Sequence, residues 1–166
     1  SMSLVHKIAL TLIKNIGSRQ AKKLLLAFGD AEAVFSAKKK ALLKIEGIGE
    51  KIASSIINTD ALLRAEKQLA FIEKHKIEVL FYTDANYPKR LRNCYDAPIL
   101  LYFKGKINFN QKRVVSIVGT RNATPYGKEL CKKLIETLLP YNVLIISGLA
   151  YGIDVTAHKE SLNCQI

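Results

Sequence analysis

Apolar positions change their period twice along this chain. Between Leu4 and Phe28 they fall at Ile8, Leu12, Ile16, Leu24, Leu25 and Phe28, a helical spacing interrupted at Asn15-Ile16-Gly17-Ser18. That pattern predicts a helix, a tight hairpin and a second helix. It returns some thirty residues later as Leu42-Leu43-Lys44-Ile45-Glu46-Gly47-Ile48-Gly49-Glu50-Lys51-Ile52-Ala53-Ser54-Ser55-Ile56. Two copies predict a five-helix unit ending near Ala65. Leu62, Leu63, Leu69, Ala70 and Ile72 then fit a helix from Asp60 to about His75. The period next drops to short apolar runs: a strand over 77–82, a turn over 84–88, a helical turn at 91–94 and a strand over 99–103. These two strands either extend a later sheet or form a small flanking one, and the sequence leaves both open.

The last third reads differently. Val114-Val115-Ser116-Ile117-Val118 is a β-branched run of the kind buried on both faces, and it stops at Gly119-Thr120-Arg121. Thr124 can cap a helix with Pro125 at its first position, Leu130, Leu134, Ile135, Leu138 and Leu139 give that helix one apolar face, and Pro140 ends it. A second buried strand over 143–147 closes at Gly148, and Asp154 caps a further helix. Strand, helix, strand, helix with this spacing predicts a parallel, right-handed unit. In such a sheet, loops at the carboxyl ends of neighbouring strands lie side by side and lead into helix N-termini that attract anions. Gly119 and Gly148 would line that edge, with the planar donors of Arg121 at its mouth. Both glycines are also what tight turns need on their own. The spacing matches neither a dinucleotide fingerprint nor a P-loop.

Charge narrows the choice of partner. Twenty-six Lys and Arg against fourteen Asp and Glu give a formal net charge of +12 in 166 residues, which favours a polyanion such as nucleic acid. The excess is densest before position 60. No apolar run approaches the roughly 18 residues of a membrane span, and the start lacks a secretory pattern, so a cytoplasmic location is expected. Cys94, Cys131 and Cys164 are odd in number and lack metal-site spacing, so they are expected to be reduced. Neither a metal nor a cofactor is expected. Ser1 ahead of Met2 reads as an expression remnant.

Two segments, Ser116-Ile-Val-Gly-Thr-Arg-Asn-Ala-Thr-Pro-Tyr-Gly127 and Ser147-Gly-Leu-Ala-Tyr-Gly-Ile-Asp-Val-Thr-Ala-His158, closely resemble the DNA-processing protein A family, DprA or Smf. Tyr87-Pro88 and the stretch from Pro98 to Gly105 carry the resemblance upstream. The family usually has Gly-Ser-Arg at the first turn, where this chain has Thr120, and Ala-Arg-Gly-Ile-Asp at the second, where Tyr151 replaces the Arg. Leu42 to Ile56 resembles the helix-hairpin-helix motif, in which two glycines shape the turn, Ile48 anchors it, and backbone N–H groups hold a phosphate without reading bases. The first copy has Asn15 in place of a motif glycine and is degenerate.

These resemblances imply an α/β chain: a helix-hairpin-helix (SAM-like) domain over 1–65, a connecting helix and short strands over 66–111, and the first part of a Rossmann-like parallel-sheet domain over 112–166. A doubly wound sheet needs about five strands, yet the sequence ends at Ile166 inside a helix. The chain is therefore expected to be an N-terminal fragment of a longer protein. The expected DNA-binding residues are Gly119, Thr120, Arg121, Thr124, Tyr126, Gly127, Ser147, Gly148 and Tyr151. Lys44, Gly47, Ile48, Gly49 and Lys51 form a secondary contact, unless the hairpins only pack helices or face a protein partner. The resemblance implies single-stranded DNA binding without sequence preference, protection of incoming strands, loading of RecA recombinase in natural transformation, and a homodimer.

Catalysis finds little footing. Ser147, Asp154 and His158 lack a nucleophile elbow, and Asp154 and His158 sit four apart on one helix. No carboxylate pair or metal cluster accompanies them. The competing expectation is a Rossmann-type enzyme acting on a nucleotide or nucleoside phosphate, which would need an acid or base near the cradle. Arg121, Tyr126 and Tyr151 instead suit a basic, aromatic strand track.

Overall fold

The computed structural model describes residues 2–95, 97–103, 114–117 and 144–147. Six helices come first: α1 (Met2–Leu12), α2 (Ser18–Phe28), α3 (Ala31–Ser36), α4 (Lys39–Leu42), α5 (Glu50–Ile57) and α6 (Ala61–Lys74). They are followed by β1 (Glu78–Phe81), α7 (Lys89–Arg92), β2 (Leu100–Phe103), β3 (Val114–Ile117) and β4 (Leu144–Ser147). The helices predicted from Pro125 and after Asp154 lie outside the described residues.

The chain divides into two units. The first joins the helices up to His75 with Asn93–Leu100, and the second takes Lys76–Arg92 and the strands from Leu101 on. In the first, local chemistry sets the helix ends. The Gly29 N–H returns to the Leu25 carbonyl at 2.8 Å to close α2, and Asp30 opens α3 by accepting the Ala33 N–H at 2.8 Å. Thr59 Oγ1 accepts the Ala61 N–H at 3.1 Å where α6 begins. The apolar stripes then meet: α6 and α3 pack on α1, α2 on α3, and α4 on α5. Ile8, Leu10, Ile13, Leu24, Val34 and Leu42 are fully buried between them. Each such side chain contributes about 1.5–3 kcal/mol by leaving water. Because α6 packs along α1, the helical unit continues to His75.

The second unit holds a four-stranded sheet in the order β1-β2-β4-β3. β3 and β4 run parallel with Val114 opposite Leu144 and Ile117 opposite Ser147, as the strand-helix-strand pattern predicts. β2 corrects the expectation of a parallel sheet: it runs antiparallel to β4, with Tyr102 opposite Ser147. Chain length explains this. Running antiparallel, β2 already heads toward the edge where β3 begins, and residues 104–113 suffice to reach it, whereas a parallel placement needs a crossover of a dozen or more residues. The two upstream strands therefore extend the main sheet. Tyr87 and Leu101 form a buried pair there, with Leu80, Tyr82 and Leu91 packed around it. Asp84 shapes the preceding turn, accepting the Phe81 N–H at 2.8 Å through Oδ2 and the Arg92 Nη2–H at 2.5 Å through its carbonyl.

Candidate nucleic-acid interface

The two hairpins are one structure built twice. With an offset of 32 residues, Asn15-Ile16-Gly17 superimposes in role on Gly47-Ile48-Gly49. Asn15 and Gly47 both have left-handed backbones, with φ of 67° and 84°. Gly17 and Gly49 are both extended, at φ −97°, ψ −176° and φ −86°, ψ −177°. Between them Ile16 and Ile48 are buried at 4% and 3% exposure, and their N–H groups donate to Ile13 and Ile45 carbonyls at 3.4 and 3.0 Å. Ala21 and Ala53 then donate to the Gly17 and Gly49 carbonyls at 3.0 and 2.9 Å, starting α2 and α5 in the same way. The first copy is degenerate in sequence but not in geometry, because asparagine tolerates the left-handed region better than other residues with a Cβ.

Each copy's helix reaches the other copy's turn. Asn15 Nδ2 donates to Ser55 Oγ of α5 at 3.1 Å, and Lys23 Nζ of α2 donates to the Glu46 carbonyl at 3.4 Å. Positions 23 and 55 are equivalent at the same offset, and their partners Glu46 and Asn15 fall one position short of equivalence, so the two copies face each other in a nearly reciprocal way. Lys39 on α4 pairs with Glu50 in the first turn of α5. Arg64 on α6 donates through Nη2 to the Leu12 carbonyl at 2.7 Å, holding the end of α1 just ahead of the first turn, while its Nε bonds Asp60 at 2.9 Å.

Of the secondary contact residues, Gly47, Gly49, Lys44 and Lys51 are exposed together around the second turn, while Ile48 is buried beneath it as the anchor. A Cβ placed on Gly49 meets nothing within 4 Å, so the space in front of this turn is open. The first N–H groups of α5 have no partner within the helix and lie behind that space. The arrangement can receive an anion, and the exposed residues Glu46 and Glu50 flank it on either side. Two features escaped the sequence reading. Arg19 occupies the position equivalent to Lys51, a match visible once the copies are aligned at 32 residues. Tyr95 sits beneath the Arg19 guanidinium, whose carbon is 3.9 Å from the ring centroid, and nothing in the local sequence signals that pairing.

For the DNA-binding residues expected at the sheet edge, the structure describes the strand ends. Ser147 closes β4 directly opposite Ile117, the last residue of β3. Gly119, Thr120, Arg121, Thr124, Tyr126, Gly127, Gly148 and Tyr151 lie outside the described residues. Among the described residues there is no cluster of three or more His, Cys, Asp or Glu, and no helix is long and apolar enough to cross a membrane.

Comparison with known proteins agrees with both halves of this architecture. Residues 8–66 match the helix-hairpin-helix motif, and residues 78–166, more than half the chain, match the family described as DNA recombination-mediator protein A. The protein Smf of Synechocystis is 31% identical over 162 residues, covering 93% of this chain and 40% of that protein. The DNA processing protein DprA of Bacillus subtilis is 36% identical over 98 residues, 58% of this chain and 33% of the relative. Its namesake in Streptococcus pneumoniae is 39% identical over 79 residues, 48% of this chain and 28% of the relative. The chain thus spans well under half the length of each of these relatives. With a match over most of the sheet-bearing half and relatives named alike, the chain belongs to the DNA recombination-mediator protein A family.

Proposed function

We propose that this chain binds single-stranded DNA without sequence preference, on the sheet edge that follows β3 and β4. One observation carries this most directly: β3 and β4 are parallel and in register to their last residues, Ile117 opposite Ser147. The chain therefore leaves both strands at the same edge, and the residues that follow carry Gly119-Thr120-Arg121 and Gly148. Loops leaving neighbouring parallel strands in this way form the crevice where open α/β sheets bind ligands. Arg121 would supply a forked donor to a phosphate, Gly119, Thr120, Thr124, Gly127 and the Ser147-Gly148 turn would shape the cradle, and Tyr126 and Tyr151 would stack on bases. This part of the chain would be the beginning of a Rossmann-like domain. The second hairpin, with Lys44, Gly47, Gly49 and Lys51 around the Ile48 anchor, is a secondary backbone contact.

The relatives' names, DNA processing protein, and the family's description as a recombination mediator support a role in handing strands to a RecA-type recombinase, with protection of incoming DNA during natural transformation and a homodimeric full-length protein. The net charge of +12 supports a polyanionic partner. Fluorescence anisotropy tests the binding step. A labelled single-stranded oligonucleotide is expected to bind more tightly than the same sequence as a duplex, and Arg121→Ala to weaken it about tenfold. Equal affinity for duplex, or an unaffected variant, would refute the edge as the site.

A further inference from the structure

Arg19 and Tyr95 form a surface pair that neither the family resemblance nor the sheet edge uses. Tyr95 is 71% exposed, an unusual state for a large ring, and the Arg19 guanidinium carbon lies 3.9 Å from its centroid. Both residues belong to the helical unit. A guanidinium over an aromatic ring engages it through its face, so its in-plane N–H groups stay available as a fork for phosphate oxygens. The ring, most of its surface open, offers a flat apolar platform held in place by the cation. Among the described residues no carboxylate pairs with Arg19; Asp96, next to Tyr95 in sequence, lies outside them. Arg19 also follows the first hairpin as Lys51 follows the second, so both turns carry a cation at the same place, and among the described residues only the first has an aromatic ring beside it.

We infer that Arg19 and Tyr95 form a nucleotide-contact site on the helical unit, where an unpaired base stacks on Tyr95 and the adjacent phosphate takes the Arg19 N–H groups. The ligand is single-stranded because in a duplex both faces of each base are already covered by stacked neighbours. The inference rests on the reading that this protein binds single strands and adds a second point of attachment to it.

The test compares a labelled oligo-dT with a labelled abasic strand of the same length, titrated with the full chain. Tyr95→Ala is expected to weaken oligo-dT binding about tenfold and abasic binding by less than about twofold, since stacking on an aromatic side chain needs a base. Tyr95→Phe should bind like the parent. Tyr95→Leu, which keeps apolar bulk without the ring, should behave like the alanine variant and serves if alanine disturbs folding. Arg19→Ala should lower the slope of log affinity against log salt by about 0.7. Unchanged oligo-dT affinity in Tyr95→Ala and Tyr95→Leu, with the parent still binding, would overturn this site and leave the sheet-edge reading standing. Equal losses on both strands would overturn the stacking role. If the parent bound no single strand, both readings would fall.

Discussion

Asn15 and Gly47 show how much a single backbone conformation asks of a side chain. Both sit at positive φ, where a Cβ costs about 1–2 kcal/mol unless the residue is glycine or, in part, asparagine. Asn15→Gly is therefore expected to change stability by less than about 0.5 kcal/mol, relief of the backbone being set against loss of the hydrogen bond to Ser55. Gly47→Ala should cost about 1–2 kcal/mol. Gly49→Ala should cost little, because its φ of −86° suits any residue and its Cβ would meet nothing within 4 Å. Urea denaturation of the three variants checks all of this. Should Gly49→Ala also weaken DNA binding while leaving stability intact, the open space before the second turn is functional. The pairing of Arg19 with Tyr95 illustrates what a sequence conceals: the partners are 76 positions apart, and no periodicity links them.

At the level of elements, the hairpins are held from below and from the side. Ile48 is the plug under the second turn, and Ile48→Ala should cost about 2–4 kcal/mol as a cavity-forming change. Arg64 acts laterally, bonding the last carbonyl of α1 across 52 positions of sequence. Its side chain is 47% exposed, so solvent screens the charge, and Arg64→Ala should cost no more than about 1 kcal/mol in thermal unfolding. Most of these elements were legible because each carries its own punctuation: apolar spacing for α1, α2, α5 and α6, Gly17 at the first hairpin and the pair Gly47 and Gly49 at the second, β-branched runs for β3 and β4. The direction of β2 was not legible. An apolar run of four residues announces a strand but carries no information on which neighbour it joins, and the deciding constraint was the length of 104–113. The phantom weakness of the first hairpin had a different origin. Matching residue by residue penalised Asn15, although the conformation needed there is one asparagine can adopt.

For the whole molecule the governing quantity is charge. A protein at +12 that holds several phosphates should release counterions on binding, so affinity for single strands should fall steeply with salt, by about 0.7 log unit per log unit of salt for each contact. Arg121→Ala should lower that slope by about one contact, whereas charge spread evenly over the surface would leave it unchanged. The first expectation is checked by titration at two salt concentrations, and it separates a defined track from diffuse attraction. The most direct test of the central claim is photocrosslinking of the full chain to a 4-thiothymidine single strand, followed by mapping of the attached peptides. The account predicts crosslinks within 118–127 and 147–152, the segments that follow β3 and β4 in the chain. Crosslinks confined to the helical unit, with none in those two segments, would contradict it.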